Sequence, residues 1–529
     1  MAVLGVDFGN WYGYVSFVQG ADQNNRGRGI CQNLVQEGTN GIPTVIYHNC
    51  IPGREREAVG NEAVRNAATP LENRVRLLKH HLQEKYTLPK DLSGRYGPQH
   101  TFEYDEAIKK VLKYMVDKAN ELLVQNFPGE ESANEIYLAY PGRFGPGEIQ
   151  YFINLAQQVR LANGKNIVVK GTIAEPAAAA LDYLSKEEKD VDKATVMTID
   201  EGAGTLDVAM VTAYPGGRPL KSNPGQTVYY EIHGVDGDMN AGGARYDERM
   251  RNILHRKVKS MVPRGTELTF SERAHLDHSA EEIKISLTDN TRTEFSVEVD
   301  GDFYDGEVTR EEFEKECADL IDRLGTVAKS FYDRNRSHKP DCILLTGGAA
   351  RMPMVIKKVE EVIPEMKGKI RLHNPSRSVS YGAARYGALQ TIPMSVLNHT
   401  ARSLGIKYTY TGTNKDTIIV FIPEGSQIPF TTQWIEGYVD NNAKACIFRV
   451  MEALKFKPDQ DKTEEDWRQI MSVTLSLDVP AHQRTMLESR LILEDNGTLT
   501  IEARRAEASS FVVRNNCKWE NINSEVLHS

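Results

Sequence analysis

The chain has 529 residues, a formal net charge of −9, and 40% hydrophobic against 26% charged residues. That length is too great for one ordinary core, so two or more domains are expected. The acidic balance argues against nonspecific nucleic-acid binding, which needs a basic face, and no segment reads as a membrane span.

Met1-Ala2-Val3-Leu4-Gly5 has no basic stretch and enters a strand pattern at once, so it does not read as a secretory signal. Val3 to Asp7 is an apolar run ending in Asp, followed by the turn Phe8-Gly9-Asn10 and a second strand-like run. Glu135 to Pro141 reads as a buried strand, Gly145 to Leu161 as a helix, and Ile167 to Lys170 as a short strand. Glu175-Pro176-Ala177 opens a helix, with Pro early enough that its missing N–H costs little. Met197 to Val208 repeats the first device: an apolar strand to Asp200, the turn Glu201-Gly202-Ala203-Gly204, then Thr205 and the next strand. A glycine-bearing turn between strands can aim backbone N–H groups at a phosphate. An Asp at the strand end can hold a hydrated Mg²⁺ beside it. Two such devices suggest two facing half-sites around one nucleotide. Further on, Asp341 to Thr346 is a strand running into Gly347-Gly348, and Met354 to Val362 is a helix.

This strand–helix alternation, typical of mixed α/β domains, lasts to about Pro393. From Ser403 onward short strand runs and turns dominate. Leu491 to Ile501 is a hairpin signal around Asn496-Gly497, and Lys457 to Glu465 reads as a charged loop. The expected division is an α/β domain at 1–390, a linker at 391–399, an all-β domain at 400–515 and a polar tail at 516–529. Cys31, Cys50, Cys317, Cys342, Cys446 and Cys517 are scattered with no C-x-x-C pair, which fits reduced thiols in a cytoplasm.

The ordered motifs resemble the 70-kDa heat-shock chaperones (Hsp70/DnaK). Gly5-Val6-Asp7-Phe8-Gly9 is similar to the first phosphate motif, Ile173 to Leu181 to I-x-E-P-T-A-A-A-L, and Asp200 to Val208 to D-L-G-G-G-T-F-D-V. Leu344 to Pro353 resembles the adenosine motif, Asn374-Pro375 with Tyr381 to Ala384 the segment closing that domain, and Ser403 to Ile406 the start of the β-sandwich. The resemblance implies an actin-like, two-lobed α/β nucleotide-binding domain and an all-β sandwich gripping an extended peptide. It implies ATP or ADP with Mg²⁺ in the cleft, and K⁺ as a second candidate ion. A J-domain protein and a nucleotide-exchange factor are the implied partners, with neither nucleic acid nor membrane. The chain ends where the family's helical lid would begin, so it resembles a lidless, truncated member.

The resemblance also implies roles. Asp7 and Asp200 match Mg²⁺-organising aspartates, while Glu175 and Asp207 match acidic residues near the metal and catalytic water. Without the family, Asp7 and Asp200 are turn residues at strand ends, and Glu175 is a helix N-terminal residue favoured by the macrodipole. Lys79 falls where the family keeps a lysine that positions the attacking water or γ-phosphate, a place where a cation stabilises the transferring phosphoryl group. Otherwise it is a surface lysine near Arg74 and Arg76. Thr205 matches a phosphate-contacting hydroxyl, or is a β-branched strand residue. Gly9, Asn10, Trp11, Gly202, Ala203 and Gly204 complete the phosphate turns. Gly347, Gly348, Ala349 and Arg351 match the adenosine motif, and Glu281, Lys284 and Thr288 the ribose and adenine edge. In the β-domain Val439, Cys446 and Phe448 fall near peptide-cradle positions, although strand alternation alone would bury such residues.

The departures are as informative. Asn10 and Trp11 stand where the family has two threonines, Ile285 replaces an adenine-stacking arginine and so lacks its cation–π term, and Ala349 replaces a serine. Glu201 replaces an apolar residue and is expected to add charge near the phosphates. Asn398 takes the place of the linker's docking aspartate, so weaker interdomain signalling is expected. Pro141 and Arg143 match positions that couple the lobes, or form a turn. The expected function is an ATP-binding chaperone for extended polypeptides with slow hydrolysis. The alternative is a non-hydrolysing scaffold or co-chaperone; a filament protein or sugar kinase fits the hairpin-rich C-terminal part poorly.

Overall fold

A computed structural model of the chain describes residues 2–20, 29–35, 40–51, 53–65, 73–88, 100–186, 192–220, 223–390, 396–410, 415–439, 443–454, 462–476, 485–494, 498–506 and 513–516. Two α/β halves repeat one topology. In the first, Leu4–Asp7 lies between its antiparallel neighbour Tyr12–Gln19 and the parallel strand Glu135–Tyr140. Ile30–Asn33 and Val168–Ala174 extend the two sides. In the second half Ala194–Glu201 takes the central place. Leu206–Leu220 is its antiparallel neighbour and Cys342–Thr346 its parallel one, with Asn223–Asp238 and Ile370–Leu372 beyond them. The antiparallel neighbour needs only a tight turn, whereas the parallel one needs a long crossover. That is why the two phosphate-type turns fall at equivalent corners.

The strand at 168 runs on to Ala174, longer than its apolar signal, and delivers the chain directly into the helix Glu175–Lys186. The helix predicted to Leu161 ends at Gln157. Glu175–Lys186 and Ser378–Gln390 pack between the two sheets, with Ala177, Ala178, Leu181, Ala383 and Tyr386 in one shared core. Their backbones approach so closely that a Cβ at Gly382 would lie 1.8 Å from the Ala178 carbonyl oxygen. Small residues therefore set the spacing of the halves.

After Gln390 the described elements are strands and a 3₁₀ turn at Glu464–Asp466. Lys415–Ile422, Leu404–Tyr410, Ala445–Ala453 and Trp467–Ser476 form one sheet. Thr485–Leu493, Leu499–Arg505 and Val513–Asn516 form the centre of another, with Phe430–Thr431 and Ile435–Val439 both paired to Thr485–Leu493. Leu404, Ile406, Val450, Leu475, Leu487, Leu491 and Ile501 share one core between them, which makes a β-sandwich. The predicted hairpin is present, Leu493 facing Leu499, although 495–497 lie outside the described residues. So do residues 391–395 of the expected linker, 457–461 of the charged loop, and 517–529 of the expected tail with Cys517. Cys31, Cys50, Cys317, Cys342 and Cys446 are free thiols.

The second half of the expected linker is a strand. Val396–His399 runs parallel to Asn223–Asp238, with Glu231 facing Leu397, and Gln427–Ile428 pairs with its other edge. Leu397 is buried against Leu220 and Val228, and Asn398 donates to the Tyr386 hydroxyl at 3.4 Å. Asn398 therefore does not stop the linker from joining the sheet. The sandwich also meets the first half through charge. Arg468 bridges Glu148 and Glu452, Arg402 pairs with Glu452 at 3.2 Å, and Arg402 donates to the Arg143 carbonyl at 2.7 Å.

Candidate nucleotide cleft

The cleft is built where the central strands of both halves end. Asp7 closes the strand Leu4–Asp7, and Asp200 sits one residue before the end of Ala194–Glu201. Asp207 faces Asp200 across the strand pair. Glu175 begins the helix Glu175–Lys186. Lys79 lies on the 3₁₀ turn Leu78–His81, which follows Leu77 in a left-handed backbone conformation. All five side chains are buried, Lys79 at 2% exposure. This is a correction to the surface alternative for Lys79: its ammonium pairs with the Glu175 carboxylate inside the molecule.

The two turns face each other. A Cβ on Gly204 would come within 2.6 Å of both Asn10 Nδ2 and His80 Nε2, so no larger residue fits between them. Asn10 is buried and its Oδ1 has no hydrogen-bond partner. The second turn is fixed by Gly202 donating to the Thr205 carbonyl at 3.0 Å. It is tied to the helix Gly243–Met261 by the Gly243 and Ala244 amides, which donate to the Gly202 and Ala203 carbonyls at 2.8 and 2.7 Å. Asp207 accepts from the Gly142 amide at 2.7 Å, next to Pro141. Thr205 is buried beside it.

Four carboxylates against one ammonium leave an excess of buried negative charge. Burial pushes Asp7 up to about 8; Glu175 raises it further and Lys79 opposes. Burial, then Glu175, pushes Asp207 up to about 7 against the Thr205 hydroxyl and Lys79. Asp200 is raised well above the usual carboxylate range by burial and then by Glu175, Asp207, Asp7 and Glu201. An oxygen-only donor set with surplus charge and a free amide oxygen at Asn10 fits a hard divalent cation such as Mg²⁺.

These shifts give a pH prediction. A carboxyl whose folded pKa lies above its unfolded value of 3.8 contributes stability that is fully present below that value and lost as pH rises through the folded one. His48 and His233, held down at about 4 and 3 chiefly by burial, act in the opposite sense at lower pH. Above the histidine range the carboxylates decide. The melting temperature of the nucleotide-free protein is expected to fall between about pH 6.5 and 8.5, through the range where Asp7 and Asp207 ionise. Asp7→Asn should flatten that slope. A level or rising wild-type profile over this window contradicts the assignment.

Gly347 turns at φ +81°, and a Cβ there would lie 2.3 Å from the Glu201 carbonyl and 2.5 Å from Asp200 Oδ1. The glycine is therefore needed for Asp200 to keep its place. Around Gly348 there is open space, Ala349 is buried in the following 3₁₀ turn, and Arg351 is exposed. Ile285 is 57% exposed on the helix Phe270–Asp289, which also carries the half-buried Glu281, Lys284 and Thr288. Lys284 pairs with Asp247 at 2.6 Å.

Two features refine the sequence reading. The Glu201 side chain lies on the other strand face from Asp200, although its charge still adds to the upward shift of Asp200. Strand alternation turns it away from Asp200 and into the core of the second half, where it is fully buried with the Tyr246 hydroxyl and Gly242 amide facing it. The period of two contained this answer once Asp200 was placed in the cleft. Trp11 stands between the halves. Its indole lies beside the Glu281 carboxylate, and the Arg76 guanidinium stacks 4.2 Å from its ring centroid and donates to its carbonyl at 3.1 Å. Arg76 and His80 were missed as site residues. Their signal was their spacing on the same short basic segment as Lys79.

In the sandwich Phe448 is 3% exposed and belongs to the core. Val439 and Cys446 are partly buried at the edge of that core, next to Tyr438 and Ile447, exposed at 53% and 47%.

A heat shock 70 kDa protein from Neurospora crassa is 25% identical over 376 residues, covering 67% of this chain and 52% of that protein. Chaperone protein DnaK from Mesomycoplasma hyopneumoniae is 27% identical over 377 residues, covering 66% and 58%. The chain spans about half the length of the curated relatives it matches. The family model described as Hsp70 protein matches residues 164–506. That span takes in the Glu175 helix, the second turn, the Gly347 turn and most of the sandwich, and on that ground the chain belongs to the Hsp70 family.

Proposed function

We propose that the chain binds ATP or ADP with Mg²⁺ between the two turns and acts as a chaperone for extended polypeptide segments, with slow hydrolysis. The observation that carries this reading is the buried set Asp7, Lys79, Glu175, Asp200 and Asp207 between two facing strand–turn–strand corners. Asp7 and Asp200 would hold the hydrated Mg²⁺, with Glu175 and Asp207 ordering its water and K⁺ as a further candidate ion. Bound Mg²⁺ would neutralise phosphate charge. Lys79 supplies a fixed positive charge beside Glu175, which in turn can orient a water by accepting its proton. Thr205 offers a hydroxyl to phosphate oxygens. The open surface at Gly348, with Glu281, Lys284, Thr288 and Ile285, would take the nucleoside. Domains at 1–390 and 400–515 joined through 391–399 belong to the same reading, as do a J-domain protein and an exchange factor as partners. Exposed Tyr438 and Ile447 beside Val439 and Cys446 support an extended peptide ligand. No helix among the described residues is long and apolar enough to cross a membrane.

Calorimetric titration with ATP and ADP should show one site, weakened more than tenfold when EDTA replaces Mg²⁺. Absence of binding by either nucleotide contradicts the proposal. A second reading, nucleotide binding without turnover, is favoured by Trp11, whose indole and ring are already engaged by Glu281 and Arg76. Single-turnover hydrolysis beside the titration separates the two: binding with no turnover, and no effect of ATP on peptide affinity, selects the scaffold.

A further inference from the structure

We propose that Glu231, His233 and His399 form a site for a transition-series divalent cation of the Zn²⁺ type, which clips the linker strand to the sheet of the second half. The candidate ligand atoms of the three residues lie within 4.8 Å of one another. Glu231 Oε1 stands 3.9 Å from His233 Nδ1 and 3.7 Å from His399 Nε2. Both distances are too long for hydrogen bonds. Ligands held about 2.0–2.1 Å from one tetrahedral ion stand roughly 3.3–3.5 Å apart, so the two carboxylate–imidazole distances need contract by only a few tenths of an ångström and the imidazole nitrogens, within 4.8 Å of each other, by no more than about 1.5 Å.

The other atom of each group is already occupied. His399 Nδ1 donates to the Ile232 carbonyl at 2.9 Å. Because a carbonyl only accepts, Nδ1 carries the proton and the neutral ring presents a bare lone pair at Nε2. His233 Nε2 bonds the Thr212 hydroxyl at 2.7 Å, which in turn meets Thr195 at 2.9 Å. Glu231 Oε2 accepts from Tyr214 at 2.9 Å and Arg218 at 2.5 Å, leaving Oε1 toward the imidazoles. Outer partners that fix tautomer and ring orientation are the usual support of metal-ligating histidines. Two imidazoles and one carboxylate suit Zn²⁺ and its neighbours better than Mg²⁺. The group lines a cleft of about 340 Å³ that also includes His338, Arg334, Thr400 and Glu424, so water can complete the coordination.

Glu231 and His233 lie on Asn223–Asp238, whereas His399 ends the linker strand Val396–His399. An ion shared by them would add a bond that exists only while the linker is in the sheet, and so would slow its release. The site lies apart from the nucleotide cleft and does not depend on nucleotide binding there.

The test uses the full chain, stripped with EDTA and dialysed. Zn²⁺ titration should give one site per chain, and Co²⁺ substitution should give visible absorption of a low-coordinate nitrogen–oxygen site. His399→Gln, at a half-buried position, should weaken Zn²⁺ at least tenfold, while His278→Gln on an exposed helix face should leave it unchanged. Zn²⁺ should also protect the 391–399 segment from proteolysis in the wild type and not in His399→Gln. No Zn²⁺ binding, equal binding by His399→Gln, or binding without protection each overturns the proposal.

Discussion

Lys79→Met should destabilise the nucleotide-free protein by about 3–5 kcal/mol near neutral pH, because removing one partner of a buried pair strands the other charge. Lys79 is the ammonium that pairs with Glu175 and opposes the upward shifts of Asp7 and Asp207. Without it, four buried carboxylates face one another, and the site can relax only by taking up protons. The destabilisation should therefore shrink toward pH 5.5. Adding Glu175→Gln to Lys79→Met should restore part of the loss, since a neutral pair no longer leaves an uncompensated charge. Urea unfolding of the single and double variants at two pH values measures all three quantities. Equal stability of wild type and Lys79→Met would place the lysine outside the electrostatic core of the site. In single-turnover hydrolysis the same substitution should lower the Mg²⁺-dependent rate; if the rates are equal, Lys79 has no part in turnover.

The halves of the cleft differed in how well the sequence announced them. Asp7 and Asp200 were visible because each ends an apolar run at a small-residue turn, a local pattern. Glu175 was visible for a similar reason, at the start of an alanine-rich helix with an early proline. Lys79 looked like surface because its burial depends on Glu175, 96 positions away, and on the left-handed Leu77 that turns it inward. Trp11 stood out only as a departure from the family's threonine, because its neighbours Arg76 and the Glu281 helix of the other half are distant in sequence. For Glu201, strand alternation already put its side chain on the face opposite Asp200, and only its charge reaches the cleft. Phe448 follows the same rule: alternation alone predicted core, and it is core. The sheet-forming role of Val396–His399 was not legible, because its partners Asn223–Asp238 and Gln427–Ile428 flank it in space and not in sequence.

The same non-locality hid the interface between the first half and the sandwich, where Arg468→Leu should have a large effect. Arg468 lies 2.6 Å from Glu452 and bridges to Glu148, with both carboxylates almost fully buried. Burial raises Glu148, with Arg468 opposing; Glu452 is held low despite burial because Arg468 and Arg402 face it. After substitution Arg402 still pairs with Glu452 at 3.2 Å, with Arg143 farther off, and Glu148 loses its ion pair. Two like charges then share a buried interface with fewer cations to offset them, at a cost of about 3–5 kcal/mol to docking. The fit allows little rearrangement, since a Cβ on Gly145 would come 2.0 Å from Glu452 Oε1. The sandwich has its own core, so it should survive release. Thermal unfolding of Arg468→Leu is expected to separate into two transitions, with a larger radius of gyration in solution scattering before the first. The triple substitution Arg468→Leu, Glu148→Leu and Glu452→Leu should recover much of the single transition, because an apolar replacement of a whole buried ion cluster strands no charge. One unchanged transition in Arg468→Leu would show that the backbone pairing of Val396–His399 holds the sandwich in place without the ion network.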